Sequence, residues 1–429
     1  MKKFVSFVLA IAVAIAAAAQ TPLDLIRENP LRAASSMHAY EPLDTAVTPA
    51  PAGYQPFYIS HVGRHGSRYH AHESQVEKVE KMRKYSAAGL LTEKGEAILA
   101  ELENIISLSE GKYGLLTEKG AAEHKAISGR MFRHYPEVFA NAERPDVIAV
   151  ATTVGRVIAS RDSFCEELQK NAPSLNITKY LNKDKDKLSN AWQEVNGFPV
   201  TKEEREEISR ISREKQKDLR KSLGRFNFSR LKAEWFKPTE EHISSRIFPE
   251  MYGIGKCAQC LDADIEPFER HFTPEELYHF WLSSNFNWYI GFCISIDNNG
   301  VNALKRGGGI LSAIIDDADA AIAGNKVAAN LRFTHDGYVL PLMAMMGIEG
   351  VSYTGSSVNC ADFFQDFRNI PMAGNLQFVF YRSKKGDVIV KVLKNEKEVT
   401  VPGVKPFKGP FYKWKDLKKF FEKRLAGNI

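Results

Sequence analysis

The sequence predicts an α/β fold: a central mixed sheet flanked by helices, with an inserted, mostly α-helical domain. Three observations predict it. Short β-branched and aromatic runs alternate with helix-period segments in the first third of the chain. From about residue 166 to 310 the strand signals thin out and long charged helical segments take over. After residue 310 the alternation resumes and ends in a hairpin signal.

The elements follow in order. "MKKFVSFVLAIAVAIAAAAQ" has a basic start, a short apolar run and an Ala-x-Ala ending at Ala17–Ala19. This is the layout of a secretory signal peptide cleaved near Ala19, so residues 1–19 are set apart from the fold. Residues 20–53, rich in Pro, Ala and Thr, read as an extended arm. "FYISHV" then gives a strand that ends at Gly63 and runs into a loop, and a polar helical segment follows from Glu73. The heptapeptide "GLLTEKG" occurs twice, at Gly89–Gly95 and Gly114–Gly120. Two copies do not make a repeat architecture. Each reads as a helix start, with Thr92 and Thr117 as N-caps.

"PDVIAVATT" (Pro145–Thr153) is a buried-strand pattern, and "GRVIASRDSFCEELQKN" continues it as a helix. The inserted stretch carries helices such as "TKEEREEISRISREKQKDLRKSLGRF" and "TPEELYHFWLSSNFNWYIG". The last part reads helix ("ILSAIIDDADAAIAG"), strand ("AANLRFTHD"), helix ("VLPLMAMMG"), a hairpin turning at Lys385–Gly386, and a basic terminal helix. The division is therefore 20–165 and 311–429 for the two parts of the α/β domain, with 166–310 as the helical insertion.

Composition bounds the function. Hydrophobic residues at 44% and charged residues at 26% describe a soluble globular chain of 429 residues. Loss of Lys2 and Lys3 with the leader lowers the formal charge from +6 to +4. That suits an anionic small molecule and is too weak to argue for nucleic acid. Beyond the leader no stretch is long and apolar enough to span a membrane. The five cysteines are Cys165, Cys257, Cys260, Cys293 and Cys360. Without a second pair or matching histidines, the single C-x-x-C reads as a local disulfide or two buried thiols, not as zinc. "KRGGG" and "GIGKC" have glycines but lack the phosphate-loop pattern, and read as turns.

Polar sites in open α/β sheets lie at the carboxyl ends of strands. Three such ends carry chemistry: Arg64–Arg68, Thr153–Arg156 and His335–Asp336. Arg64, Arg68 and Arg156 would supply three planar forks for phosphate oxygens, and His335 a further donor. His65, between two guanidiniums, is disfavoured as a cation and keeps a nucleophilic lone pair. Asp336 could protonate a leaving alkoxide. The set describes phosphoryl transfer to His65 with no metal and no cofactor, since the arginines carry the charge. Arg161 competes locally with Arg156 for this place. In the same stretch His61 reads as a core histidine, and His70 and His72 as exposed. Asp336 could also cap the helix that follows it.

"RHGSR" with a distal "THD", and between them "LLTEKGAAEHKAISGRMFRHYP" and "ATTVGRVIASRDSF" in order, resembles the histidine phosphatase superfamily, histidine acid phosphatase branch. Within it the chain looks most like the phytases and multiple inositol polyphosphate phosphatases. The resemblance implies His65 as nucleophile, Asp336 as proton donor, and Arg64, Arg68, Arg156 and His335 as ligands of the scissile phosphate. It implies an exported phosphomonoesterase acting on phytate or lower inositol polyphosphates, with a small phosphate ester as its partner. A broad acid phosphatase or a sugar-phosphate phosphatase is the alternative, and a phosphate-binding protein without turnover the alternative of another class. Two residues depart from the pattern. His70 stands where many members have proline, and "HDG" stands where the multiple inositol polyphosphate phosphatases usually have H-A-E.

Overall fold

The computed structural model describes residues 20–41, 46–182 and 200–427. The expected signal peptide lies outside the described residues. One mixed sheet of eight strands organises the chain, in the order β3-β2-β4-β1-β5-β6-β7, with β8 pairing β6. The strands are β1 (Tyr54–Arg64), β2 (Asp146–Ala151), β3 (Asn176–Leu181), β4 (Val327–Thr334), β5 (Asn375–Ser383), β6 (Val388–Lys394), β7 (Lys397–Glu398) and β8 (Phe411–Lys413).

Register explains why three distant segments meet. β1 and β4 run parallel with Arg64 opposite Thr334, and β2 and β4 run parallel with Ala151 opposite Phe333. The carboxyl ends of β1, β2 and β4 therefore share one edge, and the loops after them start side by side. β5 is antiparallel to β1 and forms the expected hairpin with β6, whose turn uses Gly386 at φ 88°.

Strand alternation divides the sheet into two faces. Tyr58, Val62, Phe378 and Phe380 pack with the helices Gly308–Ala323, Asp336–Met346 and Trp414–Leu425. Ile59, Val379 and Tyr381 pack on the other side with residues of the helices Glu118–His134 and Gly155–Asn171. A third apolar cluster lies among helices and joins Ile98, Leu102 and Ile105 to Trp235, Phe248 and Trp281. Its residues come from 25–106 as well as from 231–282, so the helical layer draws on chain before the 166–310 insertion. Conversely β3, inside 166–310, belongs to the sheet. Its "NITKYL" is largely exposed on a sheet edge, which left it without a buried-strand pattern.

Both GLLTEKG copies form the expected helix starts. The hydroxyls of Thr92 and Thr117 accept from the backbone N–H of Gly95 and Gly120. They also share a docking mode. Leu91 bridges Phe236 and Leu116 bridges Arg68, and the Thr92 and Thr117 N–H groups donate to the carbonyls of Trp235 and Ser67. The glycine three residues into each helix start lets those same carbonyls come close: a Cβ on Gly95 would lie 2.2 Å from Trp235 O, and one on Gly120 2.2 Å from Ser67 O.

All five cysteines are free and buried. The Cys257 and Cys260 thiols donate to the carbonyls of Arg68 and Met37, so the C-x-x-C is the pair of buried thiols and not the disulfide. "KRGGG" opens the helix Gly308–Ala323 through a π-helical turn, Ala303–Gly307, where Gly307 sits against the Pro341 carbonyl. Among the described residues no helix is long and apolar enough to cross a membrane.

Candidate active site

His65 begins the loop after β1. Its backbone N–H donates to the Thr334 carbonyl at the end of β4, and its carbonyl accepts from Ala373 N–H. The imidazole is 2% exposed, and its Nδ1 lies 2.9 Å from the Gly66 carbonyl oxygen. A carbonyl only accepts, so Nδ1 carries the proton and Nε2 the lone pair. Burial holds the imidazolium form well below its usual range, and Arg64, Arg156, Arg68 and His335 lower it further. The ring is thus a neutral nucleophile even in acid.

Three guanidiniums surround it electrostatically. Arg64, 1% exposed, donates through Nη1 to the carbonyls of Ser36 and Ile370 (2.8 Å for the latter) and through Nη2 to Asp336 Oδ2 at 2.8 Å. Arg68 donates to the Tyr69 carbonyl at 2.9 Å. Arg156 lies 3.5 Å from the Gly114 carbonyl through Nη1, and burial pushes its guanidinium down to about 10, with Arg68 and Arg64 adding repulsion. In all three the Nε–H is buried and has no acceptor among the described residues. Three stranded charged donors, each costing about 1–3 kcal/mol when unsatisfied, describe a site arranged for an anion.

His335 and Asp336 follow β4. The His335 ring stands 5.5 Å from that of His65, edge-on, with Nε2 3.4 Å from the Thr152 hydroxyl at the end of β2. Burial, then Arg156, lowers His335 to about 4. Asp336 opens the helix Asp336–Met346 as its first residue, with His335 in the capping position. Its other oxygen accepts from Gly337 N–H. Among the described residues no group of three His, Cys, Asp or Glu side chains could hold a metal. The structure thus brings together His65, Arg64, Arg68, Arg156, His335 and Asp336.

The other histidines and Arg161 sort out differently. Arg161 donates to Asp162 and to the Tyr180 carbonyl, away from this cluster. His61 is fully buried between Phe164 and Phe333. His72 is exposed, but His70 is not, which corrects the reading of it as a surface residue. Its Nδ1 meets the Ser109 hydroxyl at 2.8 Å and its Nε2 the Ile254 carbonyl at 3.0 Å. Those partners lie far along the chain, so nothing local announces them.

Residues that sequence reasoning missed hold the loop in shape. Glu123 accepts from the Ser67 backbone N–H and hydroxyl, both at 2.7 Å, and from Tyr40 N–H. The Ser160 hydroxyl accepts from Gly66 N–H and donates to the Arg156 carbonyl, tying the loop after β1 to the helix start after β2. Arg306 lies over the Tyr338 and Phe292 rings and donates to the Gly337 carbonyl beside Asp336. The sequence signals for these were the tracts "LTEKGAAEH" and "ATTVGRVIASRDSF", which hold Glu123 and Ser160 without saying what they do.

The profile of the histidine phosphatase superfamily (branch 2) matches residues 59–395. No curated protein matches at a significant level. Among solved structures, the multiple inositol polyphosphate phosphatase of Bifidobacterium longum in complex with phosphate is 18% identical, with TM-score 0.71, covering 92% of this chain and 98% of its own. The same protein in complex with inositol hexasulfate is 19% identical at TM-score 0.67, covering 90% and 97%. The phytase from D. castellii is 16% identical at TM-score 0.66, covering 94% and 86%. At such identities the likeness establishes the fold, an α/β sheet flanked by helices.

Proposed function

The chain belongs to the histidine phosphatase superfamily, branch 2, and from that premise we propose that it is an exported phosphomonoesterase that works through a phosphohistidine on His65, with phytate or lower inositol polyphosphates as substrates. The observation that carries the proposal is the set of three unsatisfied Nε donors on Arg64, Arg68 and Arg156 around a neutral His65.

In the first step Nε2 of His65 attacks phosphorus and the bond to the ester oxygen breaks. Asp336, paired with Arg64, gives that oxygen its proton, so an alcohol leaves in place of an alkoxide. The guanidiniums and His335 donate to the three remaining phosphoryl oxygens, where charge gathers in the transition state. In the second step water attacks the phosphohistidine, Asp336 accepts the water's proton, and inorganic phosphate and free His65 result. Ser67, held by Glu123, and Gly66, held by Ser160, keep the loop in place. The guanidiniums supply the positive charge that a metal would otherwise bring.

The substrate class rests on the similarity in fold to a multiple inositol polyphosphate phosphatase and a phytase. Export rests on the leader-like first 19 residues. The test is kcat/KM for phytate, a sugar phosphate and p-nitrophenyl phosphate, each measured with a chelator present. The proposal expects phytate to give the highest value and the chelator to change nothing. A sugar phosphate ahead of phytate would replace the substrate assignment, and loss of all hydrolysis with recovery on added zinc would overturn the mechanism.

A further inference from the structure

The two carbonyls that hold the Arg64 guanidinium belong to Ser36 and Ile370. The segments around them also form walls of a separate cavity of about 400 Å³. His38, Tyr40 and Glu41 line it from the first segment, and Phe367, Arg368 and Asn369 from the second. None of His65, Arg64, Arg68, Arg156, His335 or Asp336 lines it.

Its anions are held by protein donors, whereas two of its cations, both exposed, have no protein acceptor among the described residues. Glu41 accepts from Asn29, Arg32 and the His38 ring. Glu398 accepts from the Thr48 N–H and hydroxyl and from Lys391. Glu349 accepts from the Thr400 hydroxyl. By contrast the Arg368 guanidinium and the Lys397 ammonium have no side-chain hydrogen bond or ion pair among the described residues, yet both line the cavity. Lys394 is held by two neutral acceptors, the Glu349 carbonyl at 2.9 Å and Asn369 Oδ1 at 2.6 Å, with the Glu349 charge close by, and its third N–H remains for a further acceptor. Burial pushes the Lys394 ammonium down to about 8; Glu349 opposes that shift, and the neighbouring charges of Arg368 and Lys397 add to it.

We propose that this cavity is a second oxyanion site, in which Arg368, Lys394 and Lys397 bind a phosphate or sulfate group. A planar fork and two ammonium groups around a cavity suit a tetrahedral dianion. Such an anion would replace water at the exposed Arg368 and Lys397 heads and offset the repulsion of both from Lys394. The same group can come from free phosphate or from one arm of a larger polyanionic ester.

The test is titration calorimetry of the full chain with inorganic phosphate, and separately with inositol hexasulfate, on the native protein and on Arg368→Ala. Arg368 is exposed, so its truncation spares the packing. Phosphate at the His65 site is identified by its competition with p-nitrophenyl phosphate. The native chain is expected to bind two phosphates. Arg368→Ala is expected to weaken one of them by at least about tenfold, the loss of a charged hydrogen bond, with kcat unchanged. A loss of affinity confined to the hexasulfate assigns the site to a polyanionic ester. One phosphate per native chain with no second hexasulfate, or identical titrations for both proteins, would overturn the proposal. Absence of competition with p-nitrophenyl phosphate would instead count against the catalytic reading and leave the second site to be judged by its own titration.

Discussion

The repeated heptapeptide makes an internally controlled experiment possible. Gly120 and Gly95 hold equivalent places in the two copies, and each would put a Cβ 2.2 Å from a backbone carbonyl oxygen. Ordinary contact begins near 3.4 Å, so each Gly→Ala change forces its docked segment away by about 1 Å. Alanine gains about 1 kcal/mol of helix propensity over glycine. The overpacking costs about 1–3 kcal/mol, so both variants are expected to lose a similar net stability of up to about 2 kcal/mol. Their effects on activity differ. Gly120 presses on Ser67, in the loop of His65 and Arg68, and Gly66 meets Gly120 from the other side with a Cβ distance of 2.4 Å to its carbonyl. Gly95 presses on Trp235, in the helical layer. A displacement of about 1 Å at reacting groups costs roughly 100-fold in rate. Gly120→Ala is therefore expected to lose about 100-fold in kcat at matched folded fraction, and Gly95→Ala less than about threefold. The assay is urea unfolding followed by initial rates on p-nitrophenyl phosphate well below the midpoint. Equal rate losses in the two variants, or none in Gly120→Ala despite its lost stability, would refute the claim that this contact sets the loop.

Asp336→Asn is expected to slow alkyl phosphates by about 100-fold or more and p-nitrophenyl phosphate far less, because nitrophenolate leaves without a proton; equal losses would remove Asp336 from the donor role. His335 at about 4 and His65 well below its usual range place no titration of these two histidines near pH 6.5 in the free enzyme. The acid limb of kcat/KM should then fall below about pH 5, and a limb centred near 6.5 would contradict the neutral nucleophile. Buried Asp366 binds the Ser35 hydroxyl, Trp281 and the Phe367 N–H, and burial raises it to about 6. Between about pH 4 and 6 the folded state thus holds a proton that the unfolded chain has lost, so this group's contribution to stability falls as pH rises. Urea unfolding at both pH values should show the native protein losing more stability over this interval than Asp366→Asn; the opposite ranking would place the strain elsewhere.

Much of the site was legible because it sits at strand ends. A β-branched run that stops at Gly63, and another that stops at Thr334, place Arg64, His65, His335 and Asp336 at one sheet edge once the strands are parallel. The parts that escaped are those fixed by partners distant in sequence. His70 has the residue type of a surface loop, but Ser109 and Ile254 satisfy both ring nitrogens inside the protein. Glu123 is a helix residue with no local signal, and its meaning comes from Ser67 folding back onto it. The GLLTEKG copies read as helix starts, and only the approach of Ser67 and Trp235 shows why a side chain is excluded at Gly120 and Gly95. β3 escaped because an exposed edge strand needs no apolar face.

The phosphoenzyme is the most direct test of the central claim. Rapid quench into alkali, which preserves phosphohistidine, followed by digestion and mass spectrometry, should find the phosphoryl group on the peptide carrying His65. The label should vanish on brief acid treatment and be absent from His65→Ala, which should also lack turnover. A label on another residue, or hydrolysis by His65→Ala near the native rate, would contradict the account.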